Sequence, residues 1–264
     1  MAKSQSLKNI HRLLHDLKNE APPNRTFLAD FNMVLEKIDE EYSREPSKSY
    51  KPSSLHCIRN MYFQMIGEPI EKERADACLI GICQSGSARH EHIQSVITRM
   101  KDFGVDCEYV DVETYIKEKN LDYLEVISKE GFETKVHHKI LNLRFMTDGI
   151  LRYRNKFYIL EIKTEHSRKW QDRFDVAEDH ILQGTCYSLS FGIDEVLFVY
   201  ENRDTTDKKA FILEVTDNMK YEVVSKIEQC DECVKLKVVP SLPRIDEKYC
   251  KYCKYRMACT RAGI

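Results

Sequence analysis

Two apolar stretches separated by a short polar step mark the centre of this chain. Leu143-Arg-Phe-Met-Thr-Asp148-Gly-Ile-Leu-Arg-Tyr153 and Lys156-Phe-Tyr-Ile-Leu-Glu161-Ile-Lys163 are rich in aromatic and branched residues, so they read as two strands joined by Arg154-Asn155. A two-residue reversal pairs Tyr153 with Lys156 and, stepping outward, sets Asp148 opposite Glu161. Cross-strand Cβ atoms in such a pair lie roughly 4.5 to 5.5 Å apart, close enough for two carboxylates to share an ion. Alternation returns Lys163 to the Glu161 face. That face also carries Met146, Ile150, Phe157 and Ile159, and the other carries Leu151, Tyr158, Leu160 and Ile162. Strands apolar on both sides are central and buried, where ionisable groups are costly unless paired or metal-bound. The bland alternative is a solvated hairpin face with a weak ion pair.

Elsewhere the pattern is mainly helical. Ile10, Leu13, Leu14 and Leu17, then Phe31, Val34, Leu35 and Ile38 beyond Pro22-Pro23, predict an accessory helical layer over residues 1–50. Residues 43–52 read as a linker, and a helix is expected from Ser53 to Ile66. Ser85-Gly86-Ser87 predicts a cap for a helix from Ala88 to Met100, ended by Gly104, with His90, Ile93, Ile97 and Met100 on one face. Residues 105–140 are charged and give no clear strand. A helix over Trp170 to Phe191, strands near Glu195–Tyr200 and Ala210–Val215, and a helix near Met219–Ile227 complete an α/β pattern, a mixed central sheet flanked by helices.

Composition narrows the setting. The 264 residues, 42% of them hydrophobic, suffice for one large core with a small appended subdomain. No apolar run reaches membrane-spanning length and the start lacks a signal-peptide core, so a soluble, cytoplasmic protein is expected. Ten cysteines in that setting point to metal ligation rather than to disulfides. A net charge of -2 excludes a strongly basic molecule, leaving polyanion contacts to local patches. Lys248-Tyr-Cys-Lys251-Tyr-Cys-Lys254-Tyr-Arg256 interleaves cations with tyrosines as single-strand binders do, and Arg168-Lys169-Trp170 is a second candidate; the alternative is that the cations near the cysteines merely solvate a thiolate-rich subdomain.

The order Gly86-x3-His90, Asp148, Glu161-x-Lys163, Gln183-x3-Tyr187 resembles the RecB-type branch of the PD-(D/E)XK nuclease superfamily. The resemblance implies a restriction-nuclease-like core in which His90, Asp148, Glu161 and the Ile162 carbonyl hold Mg²⁺ or Mn²⁺. It further implies that Lys163 orients the attacking water, and that Gln183 and Tyr187 border the site and contact the strand. Cys57, followed by Cys250, Cys253 and Cys259, resembles the split iron-sulfur ligation of AddB-type helicase-nucleases and of the iron-sulfur CRISPR-associated exonucleases. Ser54, Arg59, Tyr62 and Phe63 around Cys57 are similar to those families, with Ile58 where proline is common.

These resemblances imply a metal-dependent DNA exonuclease with a 4Fe-4S cluster, working on single strands or frayed ends in recombination, repair or CRISPR adaptation. The implied domains are an accessory region at 1–50, an iron-sulfur subdomain from 51–78 and 246–264, and a nuclease core at 79–245. A recombination or adaptation partner is implied too, and oligomeric state is left open. The rival is a zinc-ribbon-like nucleic-acid-binding scaffold built on Cys230, Cys233, Cys250 and Cys253.

Overall fold

The Arg154-Asn155 reversal organises the sheet. Both residues take positive φ, 49° and 63°, the conformation of a tight hairpin turn. Tyr153 therefore pairs with Lys156, and the ladder runs outward to Gly149↔Leu160. In the computed structural model, residues 23–41, 47–70, 76–241, 250–251 and 253–263 are described.

The main sheet has the order β1-β5-β6-β7-β8. Its strands are β1 (Cys107–Val110), β5 (Gly149–Tyr153), β6 (Lys156–Glu165), β7 (Glu195–Asn202) and β8 (Lys208–Glu214). The β6–β7 pair is parallel and the others antiparallel. β2 (Leu124–Glu130), β3 (Glu133–His138) and β4 (Leu143–Thr147) form a separate three-stranded antiparallel sheet. The apolar run 143–153 is thus two strands in two sheets, not one strand. The break falls at Asp148-Gly149, where Gly149 takes φ 145° and the Tyr109 ring occupies the space a Cβ would need. Met146, expected to be buried, is 42% exposed.

Helices cover both faces of the main sheet. Ile150, Ile159, Val196 and Phe198 pack in one core with Cys186, Tyr187 and Phe191 of α6 (Glu178–Phe191) and with Val223, Ile227 and Cys230 of α7 (Asp217–Leu236). On the opposite face Leu151, Leu160 and Ile162 cluster with Ile93 of α3 (Ala77–Arg99). Arg89 of α3 also reaches the fully buried Glu201 of β7 at 3.2 Å, and Lys208 reaches the same carboxylate at 2.8 Å. No helix among the described residues is long and apolar enough to cross a membrane.

Several expected boundaries move. Ser85-Gly86-Ser87 lies inside α3, because the apolar residues from Ala77 onward already continue the helical repeat. The helix expected over 170–191 is two, α5 (Ser167–Gln171) and α6. Lys209 donates to the carbonyls of Trp170, Gln171 and Arg173, satisfying the end of α5 so that the chain can leave it. α7 runs nine residues beyond Ile227, to Leu236, and carries Cys230 and Cys233. In place of one helix from Ser53, a short 3-10 turn, Pro52–Ser54, precedes α2 (Ile58–Ile66). The unassigned region 105–140 contains β1, α4 (Val112–Glu118), β2 and β3. Gly104, with φ 79°, ends the 3-10 turn after α3 as expected.

The chain divides into two units, Met1–Glu45 with Arg74–Gln84, and Pro46–Glu73 with Ser85–Ile264. In the first, α1 (Pro23–Glu41) leaves Phe31, Val34 and Ile38 largely exposed; Ile10, Leu13, Leu14 and Leu17 lie outside the described residues. Residues 43–46 of the expected linker also lie outside them, but its end is not a linker. Tyr50 is fully buried, bridges Leu143, exchanges backbone hydrogen bonds with Asn142 and Arg144, and donates its hydroxyl to Asp231 Oδ1 at 2.5 Å.

Tyr50→Ala is expected to cost about 3–5 kcal/mol, the range for deleting a buried aromatic side chain. The urea midpoint would fall at constant m value; an unchanged midpoint would restore the linker reading.

Candidate metal and active site

Asp148 stands where the β5–β6 ladder ends. Two residues past Leu160, the last β6 residue paired with β5, the Ile162 N–H has no partner on β5 and donates to Asp148 Oδ2 at 2.6 Å. In extended backbone a residue's N–H and C=O share an edge, so the Ile162 carbonyl faces the same side. The Asp148 carbonyl oxygen accepts from the Tyr109 hydroxyl at 2.6 Å and from Gln94 Nε2 at 2.7 Å. Its Oδ1 lies 3.2 Å from His90 Nδ1, and His90 Nδ1 lies 3.9 Å from Glu133 Oε1. The ligand atoms of His90, Glu133 and Asp148 all fall within 4.8 Å of one another. One imidazole and hard carboxylate oxygens at this spacing form a site of the divalent-cation type.

Glu133 was not foreseen. It opens β3 just after Gly131-Phe132, a two-residue turn that pairs Glu130 with Glu133. That glycine is the one local signal for the hairpin; nothing in the sequence says that its far side meets Asp148.

Behind this group lies a buried polar chain. Glu161 is 3% exposed, and its Oε1 accepts from Lys163 Nζ at 2.6 Å and Gln183 Nε2 at 2.7 Å. Lys163 Nζ also donates to Gln183 Oε1 at 2.8 Å, so the ammonium is fixed between two side chains from different elements. Gln183 Nε2 donates further to the Tyr187 hydroxyl, which donates to the Met146 carbonyl at 2.7 Å. The resemblance implied that Tyr187 contacts the strand; it is instead 1% exposed, with its hydroxyl taken up by Gln183 and the Met146 carbonyl.

Glu161 Oε2 is buried without a hydrogen-bond partner, although its neighbour Oε1 has two. An orphaned buried carboxylate oxygen beside His90 and Asp148 fits a cation that completes its coordination. Burial pushes the Glu161 carboxyl up to about 7, with Lys163 pulling it back and Asp148 raising it further. Burial and the Asp148 charge likewise raise Glu133. For His90, burial favours the neutral ring, but the contact with Asp148 and the charges of Asp148, Glu161 and Glu133 outweigh it and raise the imidazole. The two acids are perturbed in the direction that an added positive charge would relieve, whereas the imidazole would give up its proton on ligating an ion.

The cysteines divide into two sets. Cys57 caps the N-terminus of α2, and the next turn sends Arg59 to Cys259 Sγ at 3.6 Å and Asn60 to Cys253 Sγ at 3.7 Å. Burial raises the Cys253 thiol, and Cys57 and Cys259 are near enough to raise it further. The Cys250 carbonyl accepts from the Cys253 N–H at 3.3 Å. Among the described residues no three cysteine sulfurs lie close enough to share a single ion. Cys230 and Cys233 instead sit within α7, with Cys230 fully buried and its thiol raised to about 11 by burial. A helical, core-facing Cys230 contradicts the zinc-ribbon reading, which needs both thiols on a turn facing one ion.

The two basic patches differ from expectation in part. Trp170 is half-buried, donates Nε1 to the Tyr200 carbonyl at 3.0 Å and lies beneath Lys209 at 4.2 Å. Lys169 pairs with Glu165 at 3.0 Å, and Arg168 is exposed. At the C-terminal end, Lys254 is half-buried against Tyr255, whereas Lys251 and Arg256 are exposed; Lys248, Tyr249 and Tyr252 lie outside the described residues.

No protein-family model and no curated protein matches the chain. Among solved structures, the protein SSO0001 is 18% identical over 88% of this chain and 96% of its own, with a TM-score of 0.47. An alkaline exonuclease, LHK-Exo from Laribacter hongkongensis, is 14% identical over 75% of this chain and 93% of its own, with a TM-score of 0.47. LHK-Exo in complex with dAMP is 13% identical over 72% and 89%, with a TM-score of 0.44. Likenesses of this degree leave the chemistry to be argued from the residues themselves.

Proposed function

We propose that this protein is a metal-dependent nuclease of the RecB-type PD-(D/E)XK kind, hydrolysing DNA phosphodiester bonds at single strands or frayed ends. The observation that carries the reading is the buried Glu161 carboxylate, tied to Lys163 and Gln183 through one oxygen and left open at the other, beside the His90–Glu133–Asp148 group. In this reading His90, Asp148, Glu161 and the Ile162 carbonyl hold Mg²⁺ or Mn²⁺, and Glu133 joins them. The ion, when bound, supplies Lewis-acid activation of water and phosphate.

The protein's own groups do the positioning. Lys163, fixed by Glu161 and Gln183, presents an ammonium that orients the water and offsets charge building on the phosphate oxygens. Gln183 and Tyr187 keep that lysine from swinging out. In this reading the exposed Arg168, Lys251 and Arg256 contact phosphates. A recombination, repair or CRISPR-adaptation setting belongs to the same proposal.

The cysteine end is read as a 4Fe-4S site held by Cys57, Cys250, Cys253 and Cys259. The approach of Arg59 and Asn60 to two of the sulfurs supports it, since N–H···S bonds stabilise cluster thiolates, and a cluster spans more than a single ion. The division into an accessory region at 1–50, an iron-sulfur subdomain from 51–78 and 246–264, and a core at 79–245 is proposed with it.

Three outcomes test the proposal. Asp148→Asn, Glu161→Gln and Lys163→Ala should each lower Mn²⁺-dependent cleavage of end-labelled single-stranded DNA by ~10²–10³-fold or more, as removal of a preorganised charge does. Lys163→Ala alone should keep its Mn²⁺ affinity. Wild-type cleavage by folded Glu161→Gln would sink the assignment.

A second outcome concerns pH. In EDTA, the raised folded-state pKa of Glu161 means that the native state keeps a proton which the unfolded chain releases, so this group's contribution to stability falls as pH rises from about 4.5 to about 7. Glu161→Gln removes that loss and should melt several degrees higher than wild type in EDTA at pH 8. Added Mn²⁺ should raise the melting temperature of wild type more than that of the variant. A variant that melts lower in EDTA, or gains as much from Mn²⁺, would contradict the metal reading.

Third, anaerobically purified protein should be brown with about four irons per chain, and Cys57→Ala should lose most of that iron. Colourless protein, or full iron content in the variant, would end the cluster reading.

A further inference from the structure

The candidate metal ligands come from three separate parts of the chain, and the joint between them is a single hydroxyl. Glu133 belongs to the three-stranded sheet, Asp148 to the break between the two sheets, and His90 to α3. The β3–β4 ladder ends at Thr134↔Thr147, so its register already brings Glu133 and Asp148 opposite each other just past that end, where the ladder itself no longer pairs them. Tyr109, on β1 of the main sheet, places its hydroxyl 2.8 Å from the Phe132 carbonyl and 2.6 Å from the Asp148 carbonyl. Phe132 immediately precedes Glu133. The two rings also meet edge to face, with centroids 5.6 Å apart.

A phenol has one proton to give, so the two carbonyls share it and are drawn to one point. The space for this is made by Gly149, where an added Cβ would lie 2.4 Å from the Tyr109 oxygen and 2.5 Å from its ring carbon Cζ. Any side chain at 149 would expel the hydroxyl. Gln94 donates to the same Asp148 carbonyl from one turn beyond His90, which ties the imidazole's helix to the same node. Three segments thus converge on the Asp148 carbonyl, and a fourth, through Phe132, on the hydroxyl that serves it. Burial and the charges of Asp148, Asp111 and Glu133 hold the phenol protonated, so it remains a donor.

We propose that Tyr109 is a positioning residue for the metal site: its hydroxyl holds Glu133 and Asp148 at ligand separation past the end of the β3–β4 ladder, and thereby sets the affinity for a divalent cation. This rests on the metal-site reading above, since Tyr109 touches no proposed substrate and ligates nothing. Its action is through Glu133, which lies past the last β3–β4 pair, Thr134↔Thr147, and whose neighbour Phe132 shares the hydroxyl with Asp148.

Tyr109→Phe keeps the ring and removes only the hydroxyl. Its Mn²⁺ dissociation constant, measured by calorimetric titration of the full chain, should rise about tenfold, the lower end of what loss of an outer hydrogen bond to a metal ligand costs. Tyr123→Phe, which removes a hydroxyl bonded to the Ser190 carbonyl, serves as the control for a merely structural loss. It should leave Mn²⁺ affinity unchanged while costing about as much melting temperature in EDTA. In a Glu133→Gln background, Tyr109→Phe should add little further loss, because the residue through which it acts is already neutral.

Wild-type Mn²⁺ affinity in Tyr109→Phe, or a full tenfold additive loss in the Glu133→Gln background, would overturn the proposal and leave the metal reading standing. Wild-type protein that binds no Mn²⁺ would overturn the metal reading and the proposal with it. Should Tyr109→Phe fail to fold, Gly149→Ala is the second variant, since it displaces the hydroxyl without removing it. Folded Gly149→Ala with undiminished Mn²⁺ affinity would equally refute the role assigned to Tyr109.

Discussion

Glu161 keeps a carboxylate at 3% exposure in a strand whose neighbours Leu160 and Ile162 are fully buried, and a charge in such a setting persists only if other groups answer it. One oxygen is answered by Lys163 and Gln183, which is why the ammonium and α6 stand where they do. The other is unanswered among the described residues. Replacing the glutamate with an apolar side chain would make a better core and a worse site, so stability and chemistry pull this position in opposite directions.

The same tension shapes the corner at Asp148. A continuous strand from Leu143 to Tyr153 would have satisfied more backbone groups through ladders. The chain instead breaks, spending the Ile162 N–H on an aspartate side chain and the Asp148 carbonyl on Tyr109 and Gln94. Those substitutions leave the backbone groups paired and bring a second sheet, with Glu133, against the edge of the first. A polar joint of this kind is more rigid than a loop, and rigidity is what an ion site with fixed ligand distances requires.

The two ends of the proposed function differ in what holds them. The carboxylate site is supported by strand pairing and helix packing on both faces of the main sheet. The cysteine end relies on α2, through Arg59 and Asn60, and on the short α8 (Arg256–Arg261) that carries Cys259. A six-residue helix has little stability of its own, so cross-linking through a metal group would there matter more than packing.

Local sequence was sufficient for whatever the backbone decides locally. Arg154-Asn155 favours a two-residue turn, and that turn, with period-two alternation, determines the β5–β6 register and sets Glu161 and Lys163 on one face. The spacing of Gln183 and Tyr187 put both on one side of α6 for the same reason. Interactions between elements distant in sequence were not legible. Nothing in Glu130-Gly-Phe-Glu133 announces an encounter with Asp148, and nothing in the apolar run 143–153 reveals that a tyrosine from β1 will wedge it open at Gly149. Tyr50 looked like linker because burial depends on what arrives from elsewhere, here β4 and Asp231 of α7. Tyr187 looked like a surface contact until Met146 and Gln183 took its hydroxyl inside. Periodicity reports which face of an element is apolar; which partner that face meets, and which polar groups are caught between them, is decided only when the elements pack.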